Sequence, residues 1–247
     1  MKSNRLYDEF AHLYYLIDPP ADHAGEAARW KAVLREKLGK GRHNILDLGS
    51  GGGSHLSHFV DEFDAVAVDL SPEMIKLSST LNPSVEHLQG DMRTLRLGRK
   101  FDAVLIHDAI GYMLNEDDLL STFKTAFEHL NYGGLIITTP DYVKENFQDA
   151  RVAHHTALDV KTTLAYFEYV YDLDRADTTF EMLMLYVIRE DGKMRTERDM
   201  HTLGLFPLER WTKLMRTAGF EVEAVKEERG INHPDGHAGE WMFVGVK

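Results

Sequence analysis

The sequence predicts an α/β protein: a doubly wound, mostly parallel seven-stranded sheet, with a three-stranded antiparallel insertion after strand five. Three observations predict it. Short apolar runs alternate with amphipathic helical runs from residue 24 to 139, a glycine cluster follows the first apolar run, and residues 161–206 hold long β-rich runs with no helical period between them. The chain then divides into a core with an N-terminal helical lid over 1–150, an insertion over 151–206 acting as substrate cap or dimer contact, and a closing helix and strands over 207–247.

Ala24, Ala27, Trp30, Leu34 and Leu38 recur at helical spacing and the run stops at Gly39. Ile45–Leu48 enters the glycines as a buried parallel strand does. Ala65–Asp69 is the second strand; behind it Ser71 is placed to cap a helix and Pro72 suits its first turn. Val85–Leu88, Phe101–Ile106 and Gly134–Thr139 follow, the last two separated by a helix carrying Leu119, Leu120, Phe123, Phe127 and Leu130. In the insertion the β-rich runs are Lys161–Tyr171, Thr179–Arg189 and Lys193–Leu205, and Asp191-Gly192 is a hairpin signal. Leu208, Trp211, Leu214 and Met215 mark a helix ended by Gly219, and Phe220–Val225 and Trp241–Val246 close the sheet.

Composition removes several function classes. Among 247 residues, 28 are basic and 40 acidic, a net charge of −12 that repels a nucleic-acid backbone. There is no cysteine, hence no disulfide framework, thiolate metal site or thiol nucleophile. No signal peptide or membrane-length apolar run is visible, so the expectation is a soluble, cytoplasmic protein with no membrane partner.

Asp47-Leu48-Gly49-Ser50-Gly51-Gly52-Gly53 sits where a strand ends and a helix should begin, a place where glycines let a ligand approach the backbone. The dinucleotide fingerprint wants a further glycine where Ser54 stands, which disfavours a nicotinamide-dependent oxidoreductase. Asp69, at the tip of the second strand, can accept hydrogen bonds from both ribose hydroxyls, a device common to both folds. Discrimination comes from Gln89-Gly90-Asp91-Met92, which offers an acceptor for an exocyclic amine beside an apolar side chain for an adenine face.

Together these segments resemble the first three motifs of class I S-adenosylmethionine-dependent methyltransferases, whose sheet is Rossmann-like. The resemblance implies S-adenosyl-L-methionine as cofactor, held by Asp47, Gly49, Gly51, Gly53, Asp69, Leu70, Asp91 and Met92, with Tyr14 and His107 also in contact. A narrower likeness lies in Tyr7-Asp8, Tyr14-Tyr15, Gly111-Tyr112, the stretch from His201 through Leu205-Phe206, and Phe243-Val244-Gly245-Val246. These look like small-molecule N-methyltransferases of the amino-sugar N,N-dimethyltransferase kind, and imply a small-molecule acceptor with an amine nitrogen. The loop Asp235-Gly236-His237-Ala238-Gly239-Glu240 departs from that pattern by carrying no Arg, which weighs against a nucleotide sugar.

An amine must be neutral when it attacks, so a group that takes or relays a proton helps. His107, Tyr112, His201 and Tyr7 are the catalytic candidates; His107 and Asp108 follow strand four at the sheet edge where such folds bind ligands. Tyr7, Tyr14 and Tyr15 are candidates for a lid over the sulfonium. His154-His155, His233 and His237 have no acidic partner at ligand spacing, so no metal is expected. The alternatives are O-methylation of a hydroxyl or carboxyl acceptor and a non-catalytic cofactor-binding protein, and a homodimer through the insertion is a further expectation.

Overall fold

The computed structural model describes residues 4–227 and 240–247. After short turns, the N-terminal segment forms α1 (Tyr14–Ile17) and α2 (Ala24–Leu38), and then the alternating core begins: β1 (Asn44–Leu48), β2 (Asp64–Asp69), α3 (Pro72–Leu81), β3 (Glu86–Gln89), β4 (Phe101–Ile106), α4 (Glu116–His129) and β5 (Leu130–Thr138). The chain next builds β6 (Arg151–Leu158), β7 (Thr162–Tyr171), β8 (Thr179–Glu190) and β9 (Lys193–Gly204), and returns through α5 (Leu208–Ala218), β10 (Glu221–Glu227) and β11 (Glu240–Val246). The seven-stranded sheet has the order β10-β11-β5-β4-β1-β2-β3, with β11 running antiparallel between β5 and β10.

The central strands β1, β4 and β5 are buried on both faces, which is why they read as continuous apolar runs. Alternate residues serve opposite layers. Leu46, Val104 and Ile136 pack with Phe123 of α4 and with Trp211 and Met215 of α5. Their neighbours Ile45, Ala103, Leu105 and Ile137 pack with Trp30 and Leu34 of α2 and with Phe59 and Phe63. Ser71 caps α3, its hydroxyl accepting the Met74 N–H at 3.2 Å.

Two features differ from the sequence reading. The glycine cluster opens no α-helix: only a single 3-10 turn, Leu56–His58, follows it. Here side chains are tied to the N-terminal segment, the Ser54 hydroxyl donating to the Asp18 carbonyl at 2.8 Å and His58 Nε2 to the Pro20 carbonyl at 2.7 Å, long-range bonds that compete with a regular helical ladder. The second sheet has four strands, not three, because β6 precedes the expected trio in the order β6-β7-β8-β9. No residue of β6 is buried, so this edge strand has no apolar face for a pattern to reveal.

The expected hairpin joins β8 to β9. Asp191 (φ 49°) and Gly192 (φ 75°) are both left-handed, as a two-residue type I′ turn requires, and Glu190 pairs with Lys193. Leu164, Tyr166, Met184 and Tyr186 of this sheet pack against Leu6, Phe10 and Leu13, so the N-terminal segment is held beneath the insertion. Among the described residues no helix is long and apolar enough to cross a membrane.

Candidate active site

A cleft of about 1670 Å³ opens at the carboxyl ends of β1, β2 and β4 and is shared with the N-terminal segment and the second sheet. Its floor is the glycine loop. Gly49 and Gly51 have φ of 77° and 53°, and a Cβ on Gly49 would stand 2.4 Å from Ala109 Cβ and 2.7 Å from Met92 Cε. A Cβ on Gly51 would meet the Tyr14 hydroxyl at 2.9 Å. The loop is thus a cradle that only glycine permits. Asp69 holds it open, one carboxylate oxygen accepting the Gly51 N–H and the other the Ser71 N–H, both at 2.8 Å.

Asp47 and Asp69 both line the cleft. Burial pushes the Asp47 carboxyl up to about 7, with His107 opposing and Asp69 adding to the rise. Burial also raises Asp69 against the hydrogen bonds from Ser71 and Gly51. The Ser50 hydroxyl is buried with no hydrogen-bond partner among the described residues. Carboxyls held up by burial, beside an unsatisfied hydroxyl, suit a ligand that brings ribose hydroxyls and an ammonium group, so the donor set fits an adenosyl amino acid. On the side wall Leu70 is 59% exposed, Met92 lies beside it, and Asp91 is clasped by Arg93 at 2.6 Å. A carboxylate keeps further acceptor sites when so paired. Gly53 lies off the cleft; its missing side chain lets the loop sit against Ser78 and Asn82.

The N-terminal segment roofs this half. Tyr14 lies over Gly51 and Gly52, and the Tyr15 hydroxyl donates to the Gly52 carbonyl at 2.7 Å.

Beneath the roof lies a cluster around His107 and Asp108 whose other members, Glu26, His55 and His23, sequence reasoning missed. His107 Nε2 is 2.6 Å from Glu26 and its Nδ1 is 3.0 Å from Asp108. Burial opposes charging this imidazole, but the carboxylates of Asp108 and Glu26 outweigh it and hold the pKa well above the ordinary value. With a carboxylate facing each ring nitrogen, the surroundings of His107 favour its protonated form. His55 stacks on it at 4.5 Å and is kept neutral, its pKa driven well down by burial and by the neighbouring charge. His23 pairs with Asp18 at 2.6 Å. Ligand atoms of His23, Glu26 and His107 lie within 4.8 Å of one another, a metal-like grouping not foreseen, although both histidines are already in ion pairs. Of the histidines weighed earlier, His154 and His155 stack on Phe167 and Tyr166, and His233 and His237 fall outside the described residues. The spacing of Glu26 to Trp30 on the buried face of α2 was the available signal for Glu26.

The other three catalytic candidates converge. The Tyr7 hydroxyl is 2.8 Å from that of Tyr112, which is 2.7 Å from His201 Nδ1. Nε2 of His201 is 3.0 Å from the Asp199 carboxylate, and Asn4 Nδ2 also approaches Nδ1 at 3.3 Å. Tyr7 ends the turn Arg5–Tyr7, Tyr112 ends the turn Asp108–Tyr112 after β4, and His201 stands on β9. Tyr7 and Tyr112 line the cleft, while His201 is fully buried behind them. Burial raises both tyrosine hydroxyls above their ordinary value, so both stay neutral.

Residues 45–134 match the model of the methyltransferase domain family. The chain is 29% identical over 228 residues to the dTDP-3-amino-3,4,6-trideoxy-alpha-D-glucopyranose N,N-dimethyltransferase of Streptomyces venezuelae, covering 91% of each chain. It is 27% identical to the dTDP-3-amino-3,6-dideoxy-alpha-D-glucopyranose N,N-dimethyltransferase of Streptomyces fradiae, covering 96% of each. Among solved structures, DesVI of Streptomyces venezuelae superposes with a TM-score of 0.82 at 29% identity, over 96% of this chain and 97% of that one. The sugar N-methyltransferase KedS8 of a Streptoalloteichus species gives 0.82 at 26% identity, over 100% and 94%. Fold and cradle together define an enzyme of the Rossmann-like methyltransferase class. The chain is an S-adenosylmethionine-dependent methyltransferase, with its methyltransferase domain at residues 45–134.

Proposed function

We propose that the chain transfers a methyl group to the amine nitrogen of a small amino sugar. One observation carries this reading: the chain of contacts from Tyr7 through Tyr112 to His201 begins at the cleft wall and ends on a buried imidazole. The relatives named for dTDP-amino-sugar N,N-dimethylation support the acceptor class.

When bound, S-adenosylmethionine supplies an activated methyl group and leaves as a neutral thioether. The glycine cradle, Asp47, Asp69, Leu70, Asp91 and Met92 hold it, and the roof of Tyr14 and Tyr15 excludes water. The protein's remaining task is to present the amine unprotonated. Tyr7 receives a proton from the acceptor as it passes its own to Tyr112, and Tyr112 passes its own to His201, so one proton leaves the amine and one appears on the imidazole. Positioning in the cleft accounts for most of the rate, and the proton path adds about 10²–10⁴-fold.

The test is a panel of amino sugars and their hydroxyl counterparts, read by release of S-adenosylhomocysteine. Turnover on amines alone supports the reading; turnover on hydroxyls alone overturns it in favour of O-methylation, and tight cofactor binding with no turnover on any acceptor makes the protein a non-catalytic binder. A homodimer through the insertion is supported by the exposed Phe167, Tyr169 and Leu185 of that sheet, and sedimentation at several concentrations tests it.

A further inference from the structure

Asp199 is 6% exposed on β9, two residues from His201, and the period-two alternation of the strand turns both side chains inward while Arg198, Met200 and Thr202 are exposed. One of its oxygens takes two hydrogen bonds: His201 Nε2 at 3.0 Å and the Leu6 backbone N–H at 2.9 Å. The other accepts the Met200 N–H at 3.0 Å. Beside it, Arg5 reaches the Arg198 carbonyl at 2.9 Å and Glu197 at 3.1 Å. The carboxylate that grips His201 is therefore also an anchor for the N-terminal segment that carries Tyr7.

A neutral imidazole owns one N–H, and its partners decide which nitrogen bears it. A carboxylate only accepts, so Asp199 requires the proton on Nε2. Nδ1 is then a lone pair facing the Tyr112 hydroxyl at 2.7 Å, with the Asn4 amide a second and longer donor at 3.3 Å, and the shorter contacts run Tyr7 O–H to Tyr112 O, Tyr112 O–H to Nδ1. That polarity draws a proton away from the cleft, whereas the other tautomer would turn a donor toward Tyr112 and stop the path. We propose that Asp199 is a positioning residue: it fixes His201 in the Nε2–H form, and by holding Leu6 it completes the relay only when the N-terminal segment is docked. This rests on the amine-methylation reading above.

The charged and titratable groups facing the pair come from every side: Arg5, Tyr7 and Glu9 from the N-terminal segment, Tyr112 from the turn after β4, and Tyr186 from β8. Burial pushes the Asp199 carboxyl up, and the hydrogen bonds it accepts from His201 and from the Leu6 and Arg5 backbone groups outweigh it and keep it below the usual carboxylate range. It is thus an acceptor throughout the neutral region.

The experiment is long-range proton–nitrogen spectroscopy on ¹⁵N-histidine-labelled full-length protein, with the His201 signals assigned by their loss in His201→Gln. Wild type is expected to show Nε2–H. Asp199→Asn, whose amide can donate, is expected to shift His201 to Nδ1–H and lower kcat about 10- to 100-fold, with cofactor affinity within about twofold. Asp199→Glu restores the Nε2–H signature in part, and adding Asp199→Asn to His201→Gln costs nothing further. An Nδ1–H signal in wild type overturns the proposal by itself, even if the Asn variant fails to fold. So does an Asn variant that keeps both the wild-type tautomer and the wild-type kcat. The spectra need no turnover, so a wild-type protein inactive on every amine removes the functional reading while the tautomer still decides the role of Asp199.

Discussion

Replacing Tyr112 by Phe deletes one oxygen and leaves the ring, whose edge-on contact with Tyr7 at 5.7 Å survives. The lost oxygen makes two hydrogen bonds, at 2.8 Å to Tyr7 and 2.7 Å to His201. At about 1 kcal/mol net for each, the variant is expected to lose about 2 kcal/mol of stability, a fall of roughly 4–8 °C in Tm for a chain of this size. Asn4, 3.3 Å from Nδ1, limits the loss by keeping a partner on the imidazole. The effect on chemistry is larger, because both remaining members are stranded: Tyr7 has no acceptor for its proton and His201 no route to the cleft. The expected fall in kcat is about 10²–10⁴-fold, the range for general acid–base assistance. Cofactor affinity stays within about twofold, since the hydroxyl's partners are Tyr7 and His201 and not the glycine loop. Single-turnover rates of S-adenosylhomocysteine formation measure the chemical step apart from product release. A variant with the wild-type single-turnover rate across the neutral pH range refutes the relay, whatever its stability.

Three further outcomes follow from the cradle. Asp69→Ala is expected to weaken cofactor binding by about 1.5–3 kcal/mol, the scale of hydrogen bonds to a charged group, and calorimetric titration at wild-type affinity would remove Asp69 from the site. Gly49→Ala places a Cβ 2.4 Å from Ala109 Cβ at a φ of 77°, so urea unfolding should show a loss of about 2–4 kcal/mol; a variant of wild-type stability means the loop is not held as described. Asp47 titrates near 7 when folded against 3.8 as a free carboxyl, a raised acid, so its contribution is fully present below about pH 4 and is lost as pH rises toward 7, by at most about 4 kcal/mol. Asp47→Asn should flatten the stability profile across that window, and an unchanged slope would assign the pH dependence elsewhere.

The parts of this molecule that a linear reading recovers are those whose determinants lie close together in the chain. The Ser71 cap and the Asp191-Gly192 turn each depend on neighbours within a few residues, and the folded chain uses both as expected, while Asp69 at its strand tip also accepts the Gly51 N–H from 18 positions back. What stayed hidden depends on distance. Asp199, in the charged run Lys193–Asp199, looks like part of a solvated strand until Leu6, 193 positions away, supplies its N–H. Glu26 reads as a helix's polar face, yet its partner His107 is 81 positions on and closes over it. His107 itself lies at the sheet edge as expected, with Asp108 adjacent in the chain, but its second carboxylate partner, Glu26, is brought to it only by the fold. The absent helix after Gly53 has the same origin, since Asp18 and Pro20 capture Ser54 and His58 from outside the local sequence.

The hairpin tip at Asp191-Gly192 carries a burden out of proportion to its place at the far end of the insertion. Its two left-handed residues set Glu190 opposite Lys193, and every later pair down the ladder, to Met182 opposite His201, inherits that register. A strand's side chains alternate, so adding or removing one residue at the tip would turn Asp199 and His201 out to solvent and bring Arg198 and Met200 in. Chemistry at the cleft is in this sense indexed from a turn that never touches it. Loop-length changes there should behave as active-site mutations, whereas equal changes between β7 and β8, upstream of the tip, leave the His201 side of the ladder counted from the same origin.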